Sequence, residues 1–320
     1  MEEQLINQGQ GIYTIDTGFQ RRGLVASHLI QQGEHYAFID VGTSSCLRSI
    51  QESMRKLAIR PEQIKYIMVT HVHLDHAGAA GVLMQLCPQA QLVVHPRGAR
   101  HMIDPTKLIA GAAAVYGDET LEKTIGEIRP VAAERIIEAT DELILELHGR
   151  PLLFLDTPGH AKHHYCVYDE ASNSFFTGDT FGLSYEALSV QGDRFIFPTT
   201  TPVQFEPDAL HHSIERMLSY QPDRMFLTHF GGIGSVPEKA DDLHRHIDAF
   251  VKLADENYVA DQTECVTAIT AALFDYLQEE LTQAGFNMSK EQVHEVMGMD
   301  IKLNAQGLYC YVSYKNRKRS

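Results

Sequence analysis

A short stretch of this chain, Thr70-His71-Val72-His73-Leu74-Asp75-His76-Ala77-Gly78, holds three imidazoles and a carboxylate within six consecutive residues. Neutral imidazole and carboxylate are ligands for borderline-to-hard divalent metals, so a metal centre is the first chemistry this spacing suggests. A solvated His-rich loop is the alternative. The apolar run Ile64–Val69 comes immediately before and reads as a buried strand ending in a loop. In extended backbone, residues two apart point the same way, so His71 and His73 can face one point. Asp75 and His76 then curl round as the chain turns into the next helix.

Three more apolar runs stop at polar, Gly-containing corners that carry one ligand-type side chain each. Leu152–Leu155 leads into Asp156-Thr157-Pro158-Gly159-His160, Ser174–Thr177 into Gly178-Asp179-Thr180, and Met225–Leu227 into Thr228-His229-Phe230-Gly231. The resulting set is His71, His73, Asp75, His76, His160, Asp179 and His229. Seven ligands exceed the need of one tetrahedral ion and suit two metals that share a carboxylate.

In motif order and intervals, roughly residues 10–235 resemble the metallo-β-lactamase-fold hydrolase superfamily, in its general hydrolase or glyoxalase II-like branch. The resemblance implies a ligand assignment. His71, His73 and His160 would hold one metal, Asp75, His76 and His229 the other, and Asp179 would bridge them. Asp40, in Phe38-Ile39-Asp40-Val41-Gly42, matches the family's early Asp-x-Gly motif and would support the site through a ligand imidazole; a turn residue before Gly42 is the alternative. Four branch signatures differ here. His73 stands where flavo-diiron proteins carry Glu, and Asp179 stands where many true β-lactamases lack the bridging Asp. Phe230-Gly231 follows His229 in place of the Glu-Tyr of glyoxalase II, and no Arg follows Gly178-Asp179 as in persulfide dioxygenases. The implied fold is an α/β (α+β) αββα sandwich of two mixed β-sheets flanked by helices.

The elements that must position these ligands follow from periodicity. Strands are expected at Gly11–Asp16, Val25–Gln31, Tyr36–Ile39, Ile64–Val69, Gln91–Val94, Leu143–Leu147, Leu152–Leu155, Tyr165–Tyr168, Ser174–Thr177 and Met225–Leu227. A helical stripe runs through Leu47, Ile50, Met54 and Leu57, a helix passes through Gly81–Leu86, and Pro207 opens another to about Leu218. The catalytic domain is expected to span 1–237, with a helical insertion at about 101–137 that includes Ala110–Val115 and Glu119–Ile128. A C-terminal extension, 238–320, would hold helices at Ala240–Asn257, Val266–Ala284 and Ser289–Met297 and a late strand at Leu308–Ser313. Ile247, Phe250, Val251 and Ala254 form an apolar stripe, and Ser289 with Gln292 reads as a capping box. These helices lack ligand clusters and read as packing or subunit-contact elements, which leaves room for a homodimer.

Other residues carry two readings. His163 and His164 could line the pocket or take supporting or merely polar loop positions. Tyr185 could hydrogen-bond a substrate oxyanion or be a core or rim tyrosine. His211, His212, His244 and His246 sit in helical stretches, where exposed or core-satisfied positions are the default. Selectivity is expected from rim segments: either 101–137, with Met102, Leu108, Ile109 and Tyr116 as an apolar wall, or the Phe181–Thr201 loop.

Composition limits the function. With 27 Lys and Arg against 42 Asp and Glu, net charge is −15 with His neutral. A surface this acidic repels polyphosphate, so nucleic acid is not the expected substrate. The basic run Lys315–Arg319 reads as a frayed, solvated end or as a patch for an anionic partner. Cys46, Cys87, Cys166, Cys265 and Cys310 are scattered, odd in number and lack a Cys-x-x-Cys pair, which favours reduced thiols in the cytoplasm. No apolar run reaches membrane-spanning length, and the acidic Met1–Gln4 shows no signal-peptide core. The expected function is a dinuclear metal-dependent hydrolase that uses a metal-bridging hydroxide on a small ester, thioester or lactone. Asp75 or Asp179 would orient the nucleophile or pass a proton. Two divalent ions, zinc first and iron or manganese otherwise, are the expected cofactors. The alternatives are a phosphodiesterase or nuclease-type hydrolase, iron-dependent redox chemistry, or a non-catalytic binding protein of the same fold.

Overall fold

Alternation of apolar side chains along the strands decides the architecture. On the strand Ile64–Val69, Ile67 and Val69 point to one buried cluster and Tyr66 and Met68 to another. A strand buried on both faces sits inside a layered structure. The computed structural model describes residues 4–116, 123–190, 192–200 and 202–319. The chain divides into two compact units, the first formed by Met1–Thr157, His163–Gly178 and Tyr220–Val236, the second by Pro158–Lys162, Asp179–Ser219 and Pro237–Ser320.

The first unit holds two mixed sheets. One has seven strands in sequential order: β1 (Leu5–Gly9), β2 (Ile12–Asp16), β3 (Ala26–Gln32), β4 (His35–Ile39), β5 (Ile64–Val69), β6 (Gln91–Val94) and β7 (Ile136–Glu138). The other contains β8 (Leu143–Leu147), β9 (Arg150–Asp156), β10 (Tyr165–Asp169), β11 (Ser174–Gly178), β14 (Arg224–Leu227) and β15 (Gly231–Ile233), in the order β15-β14-β11-β10-β9-β8. Ile12, Ile30, Ile39, Tyr66 and Met68 from the first sheet meet Leu152, Phe154, Tyr165, Phe176 and Phe226 from the second in one core. The outer face of the first sheet buries Leu29, Phe38, Ile67 and Leu92 against Ile50 and Met54 of α1 (Leu47–Lys56) and Leu83 of α3 (Ala80–Leu86).

Strand direction brings the ligand corners to one rim. β4 and β5 are parallel, as are β11 and β14, and β10 runs antiparallel to both β9 and β11. The C-terminal ends of β4, β5, β9, β11 and β14 therefore open into the segments carrying Asp40, the His71–His76 cluster, His160, Asp179 and His229. At the start of β9, a buried ion pair closes the opposite end of the unit. Arg150 donates from Nε to Asp169 Oδ1 at 2.8 Å and from Nη1 to the carbonyls of Gln10 and Gln31.

The insertion contains α4 (Pro96–Ile103) and α5 (Thr106–Tyr116). Met102 and Leu108 pack into the helix-covered core of the first sheet, which is the packing reading of those residues. The side chain of Tyr116 and residues 119–122 of the expected helix Glu119–Ile128 lie outside the described residues; the remainder of that segment is helical only to Ile125.

The second unit contains the short hairpin β12 (Ser189–Val190) and β13 (Asp193–Arg194), with α6 (Pro207–Leu218), α7 (Val236–Glu256), α8 (Gln262–Gln283) and α9 (Lys290–Arg319). Pro207 occupies the first turn of α6 as expected. The Ser289–Gln292 capping box forms: Ser289 N–H donates to Gln292 Oε1 and Gln292 N–H to Ser289 Oγ. The expected strand Leu308–Ser313 is instead the last part of α9. Val293, Met297, Ile301, Ala305, Leu308 and Val312 are buried at helical spacing, and α9 packs along the Cys265, Ile269, Leu273, Leu277 and Leu281 stripe of α8. The β-propensity of Tyr309, Tyr311 and Val312 is overridden by this packing. The basic end is helical rather than frayed, with Lys315 Nζ 2.5 Å from Asp255 Oδ2. Among the described residues, no helix is long and apolar enough to cross a membrane.

Removing one partner of the Arg150–Asp169 pair leaves a charge buried and unpaired. Asp169→Ala is expected to lower stability by about 3–5 kcal/mol, read as a shift in denaturant midpoint at unchanged slope.

Candidate metal centre

The conformation of the central motif follows from its place after β5. His73 is extended and caps the single-turn helix α2 (Leu74–Ala77), its carbonyl accepting from the N–H groups of His76 and Ala77. Val72 turns into the core, while His71 Nε2 and His73 Nδ1 approach to 2.8 Å. The single turn then swings Asp75 and His76 round, so that Asp75 Oδ2 lies 3.6 Å from His76 Nε2 and 3.3 Å from His229 Nε2. His160 Nε2 lies 3.4 Å from Asp179 Oδ2. Asp75, His76 and His229 form a group whose ligand atoms all lie within 4.8 Å of one another; His71 with His73 in the first unit, and His160 with Asp179 in the second, bring further ligand atoms close together.

Hydrogen bonds at Nδ1 fix the tautomers. His229 Nδ1 is 2.7 Å from the carbonyl of Leu24, and His160 Nδ1 is 3.2 Å from that of Thr199. A carbonyl only accepts, so these Nδ1 atoms carry the proton and Nε2 keeps its lone pair. His76 Nδ1 donates to Asp40 Oδ2 at 2.8 Å with the same result. Thr70 Oγ1 is within hydrogen-bond distance of both oxygens of Asp40, to which it gives its proton, and so accepts from His71 Nδ1 at 3.2 Å. Four imidazoles thus present unprotonated Nε2 atoms. Bonds of about 2.0–2.1 Å in a tetrahedral zinc site set ligand atoms roughly 3.4 Å apart. The carboxylate–imidazole separations of 3.3, 3.4 and 3.6 Å match that edge. The residues present therefore fit a divalent ion.

Asp40 joins the two readings made of it. Its φ of +49° is the turn conformation before Gly42, and its wholly buried carboxylate accepts from Thr70 N–H at 2.8 Å, His76 Nδ1 and Thr228 Oγ1. His164 is buried, its ring stacked on His71 at 4.8 Å between centroids and its Nδ1 3.1 Å from Thr157 Oγ1. Gly178 is obligatory beside it: φ is +49°, and a Cβ would meet Thr70 Oγ1 at 2.5 Å and His164 Nε2 at 2.6 Å. Tyr185 is buried and donates to Asp300 Oδ2 at 3.0 Å.

Two supporting residues escape sequence reasoning. His28, buried between the sheets, donates from Nε2 to the carbonyl of Leu227, two residues before His229, and accepts at Nδ1 from Thr14. Burial lowers its pKa to about 4, so it stays neutral in that position. Asn304 of α9 receives the Thr200 N–H at 2.6 Å and donates to the carbonyl of Pro198 at 3.1 Å, clamping the loop whose Thr199 carbonyl orients His160. Neither lies in a motif; their only sequence signal is a polar residue at a position whose neighbours read as core.

The model of the metallo-beta-lactamase superfamily matches residues 21–229, well over half of the chain. The chain belongs to this superfamily. The metallo-beta-lactamase fold-containing protein ST1585 of Sulfurisphaera tokodaii is 25% identical over 231 residues, 69% of this chain and 79% of that protein. Its crystal structure matches with a TM-score of 0.63 at 21% identity, covering 94% of this chain and 98% of that one. The metallo-beta-lactamase family protein TTHA1429 of Thermus thermophilus gives a TM-score of 0.65 at 20% identity over 97% and 95% of the two chains. These likenesses show the metallo-β-lactamase fold, with its two mixed sheets and helices. An atrochrysone carboxyl ACP thioesterase of Aspergillus fumigatus is 24% identical over 178 residues, which is 55% of this chain and 41% of that protein.

Carboxylates behind ligand imidazoles typically contribute 10–100-fold to metal affinity. Asp40→Asn, which keeps the volume and removes the charge, is expected to weaken divalent-ion binding by about that factor, measured by competition with a chromophoric chelator. Asn304→Ala is expected to weaken it less, about tenfold at most, because the Thr199 carbonyl keeps its covalent neighbours. A larger effect from Asn304→Ala than from Asp40→Asn would reverse the hierarchy.

Proposed function

We propose that this superfamily member is a hydrolase of a small ester, thioester or lactone that holds two divalent ions, with zinc ahead of iron and manganese. The observation that carries the reading is the set of imidazole Nε2 lone pairs, each fixed by an acceptor at Nδ1, three of them set against carboxylate oxygens at coordination-edge spacing. In this reading His71, His73 and His160 would hold one ion, Asp75, His76 and His229 would hold the other, and Asp179 would serve both. When bound, such ions supply Lewis acidity and make a nearby water acidic enough to act near neutral pH.

The chain's own groups arrange the rest. Asp40 and Thr70 hold His76 and His71 in the tautomers that turn Nε2 toward the ligand groups. Asp75, its side chain about a third exposed at 32%, orients the attacking water and takes its proton. Asp179, 5% exposed, stays oriented by its place directly after Gly178. No serine or cysteine nucleophile is needed.

Substrate class rests on charge and kinship. A net charge of −15 opposes a polyanionic substrate, and similarity to a thioesterase supports acyl chemistry. A small-molecule substrate, rather than nucleic acid, and a cytoplasmic site of action belong to the same proposal, the five cysteines being free thiols.

Metal analysis after reconstitution with zinc or manganese is expected to give two ions per chain, falling on Asp179→Ala. Side-by-side kinetics on a thioester, a lactone and a bis-aryl phosphodiester are expected to favour the acyl substrates in kcat/KM. A phosphodiester preference of about tenfold or more, a difference of about 1.4 kcal/mol in transition-state stabilisation, would overturn the assignment.

A further inference from the structure

The exposed side of α8 and α9, in the second unit, holds a groove that the proposed hydrolytic site does not use. The run Cys265–Phe274 of α8 contains no charged residue, on a chain in which 22% of residues are charged. Cys265, Ile269 and Leu273 of this run turn inward and are buried. Val266, Thr270, Ala271 and Phe274 line a groove of about 490 Å³. Ala271 is exposed and the other three are half-buried, so the lining stays open to solvent. On a chain of net charge −15, two copies repel over most of their surface, and a charge-free face is where they can meet.

The two charges at the groove decide its occupant. Asp275 of α8 and Lys302 of α9 both line it and both are exposed. Neither side chain has an ion-pair or hydrogen-bond partner among the described residues. We propose that the groove is the contact face of a two-fold homodimer, in which α8 of one copy lies against α8 of the other. A two-fold axis brings residue i of one copy to residue j of the other, and j to i. Lys302 of each copy thereby meets Asp275 of its mate, and two complementary pairs form from groups unpaired in the single chain. Met299, one turn before Lys302 on α9 and 44% exposed, supplies the apolar side chain that enters the mate's groove. With 22 residues, α8 is about 33 Å long. With α9 alongside, the two-helix face is on the order of 650 Å², comparable to the roughly 800 Å² per partner of a standard interface. Exposed ion pairs add little energy, so the apolar strip supplies affinity while the pairs set register and orientation.

Sedimentation velocity of the full-length protein, from low micromolar to several hundred micromolar concentration, tests this. A monomer–dimer equilibrium is expected. Ala271→Glu, which places like charges across the centre of the face, is expected to weaken it by more than about tenfold, with unchanged circular dichroism and Tm. Asp275→Lys and Lys302→Asp are each expected to weaken it, because each sets like charges in both pairs. Mixing these two variants is expected to restore dimers, since every pair is again opposite in sign, and that recovery shows both variants to be folded. A protein that stays monomeric over the whole range overturns the proposal, as does a dimer untouched by Ala271→Glu or indifferent to the charge exchange. A monomer that binds a hydrophobic dye at the groove, with the signal lost in Ala271→Glu, overturns it in favour of a small apolar ligand.

Discussion

The Asp40 carboxylate is the interaction on which the rest of the structure depends. It is wholly buried at the end of β4 and accepts from Thr70 after β5, from His76 in the motif turn and from Thr228 after β14. One side chain therefore ties the rim of the first sheet to that of the second. A charge in such a place is tolerated only when its lone pairs are filled, and these donors fill them. The same contacts decide which nitrogen of His76 and, through Thr70, of His71 is left unprotonated. Stability and ligand orientation are one network.

That network explains why the ligand corners tolerate unusual backbone. Asp40 and Gly178 both adopt positive φ, and Gly178 sits where any Cβ would strike Thr70 and His164. Strain of this kind persists where surrounding structure over-determines it. In the second unit the corresponding constraint comes from α9, whose Asn304 holds the 198–200 loop that turns His160. The C-terminal helices read in sequence as packing elements. Through Asn304 they also orient one ligand imidazole.

Much of the fold was legible because its signals are local. The strand Ile64–Val69 and the strand Gln91–Val94 coincide with their apolar runs, since period-two burial on both faces leaves no other reading. β1, β7 and β15 were not foreseen: their partly exposed or Gly-containing sequences lack an apolar run, and they form by pairing at sheet edges. Leu308–Ser313 failed for the opposite reason. Its aromatic and branched residues favour a strand in isolation, but their spacing continues a helical stripe begun at Val293, and the partner α8 decides.

The sequence by itself determined the candidate ligand set, because His-x-His-x-Asp-His after a strand and a lone ligand-type residue at each later strand end are patterns of residue type and spacing. It also determined the acidity that disfavours polyanions. Tertiary structure alone decided which nitrogen of each imidazole is unprotonated, because that depends on an acceptor contributed from far along the chain: Asp40 for His76, Leu24 for His229 and Thr199 for His160. It alone paired His211 with His244, since two helical histidines 33 residues apart meet only when their helices pack and each finds a carboxylate on the other. Residue spacing encodes direction along one element; protonation and convergence are set by neighbours that only the folded chain brings together.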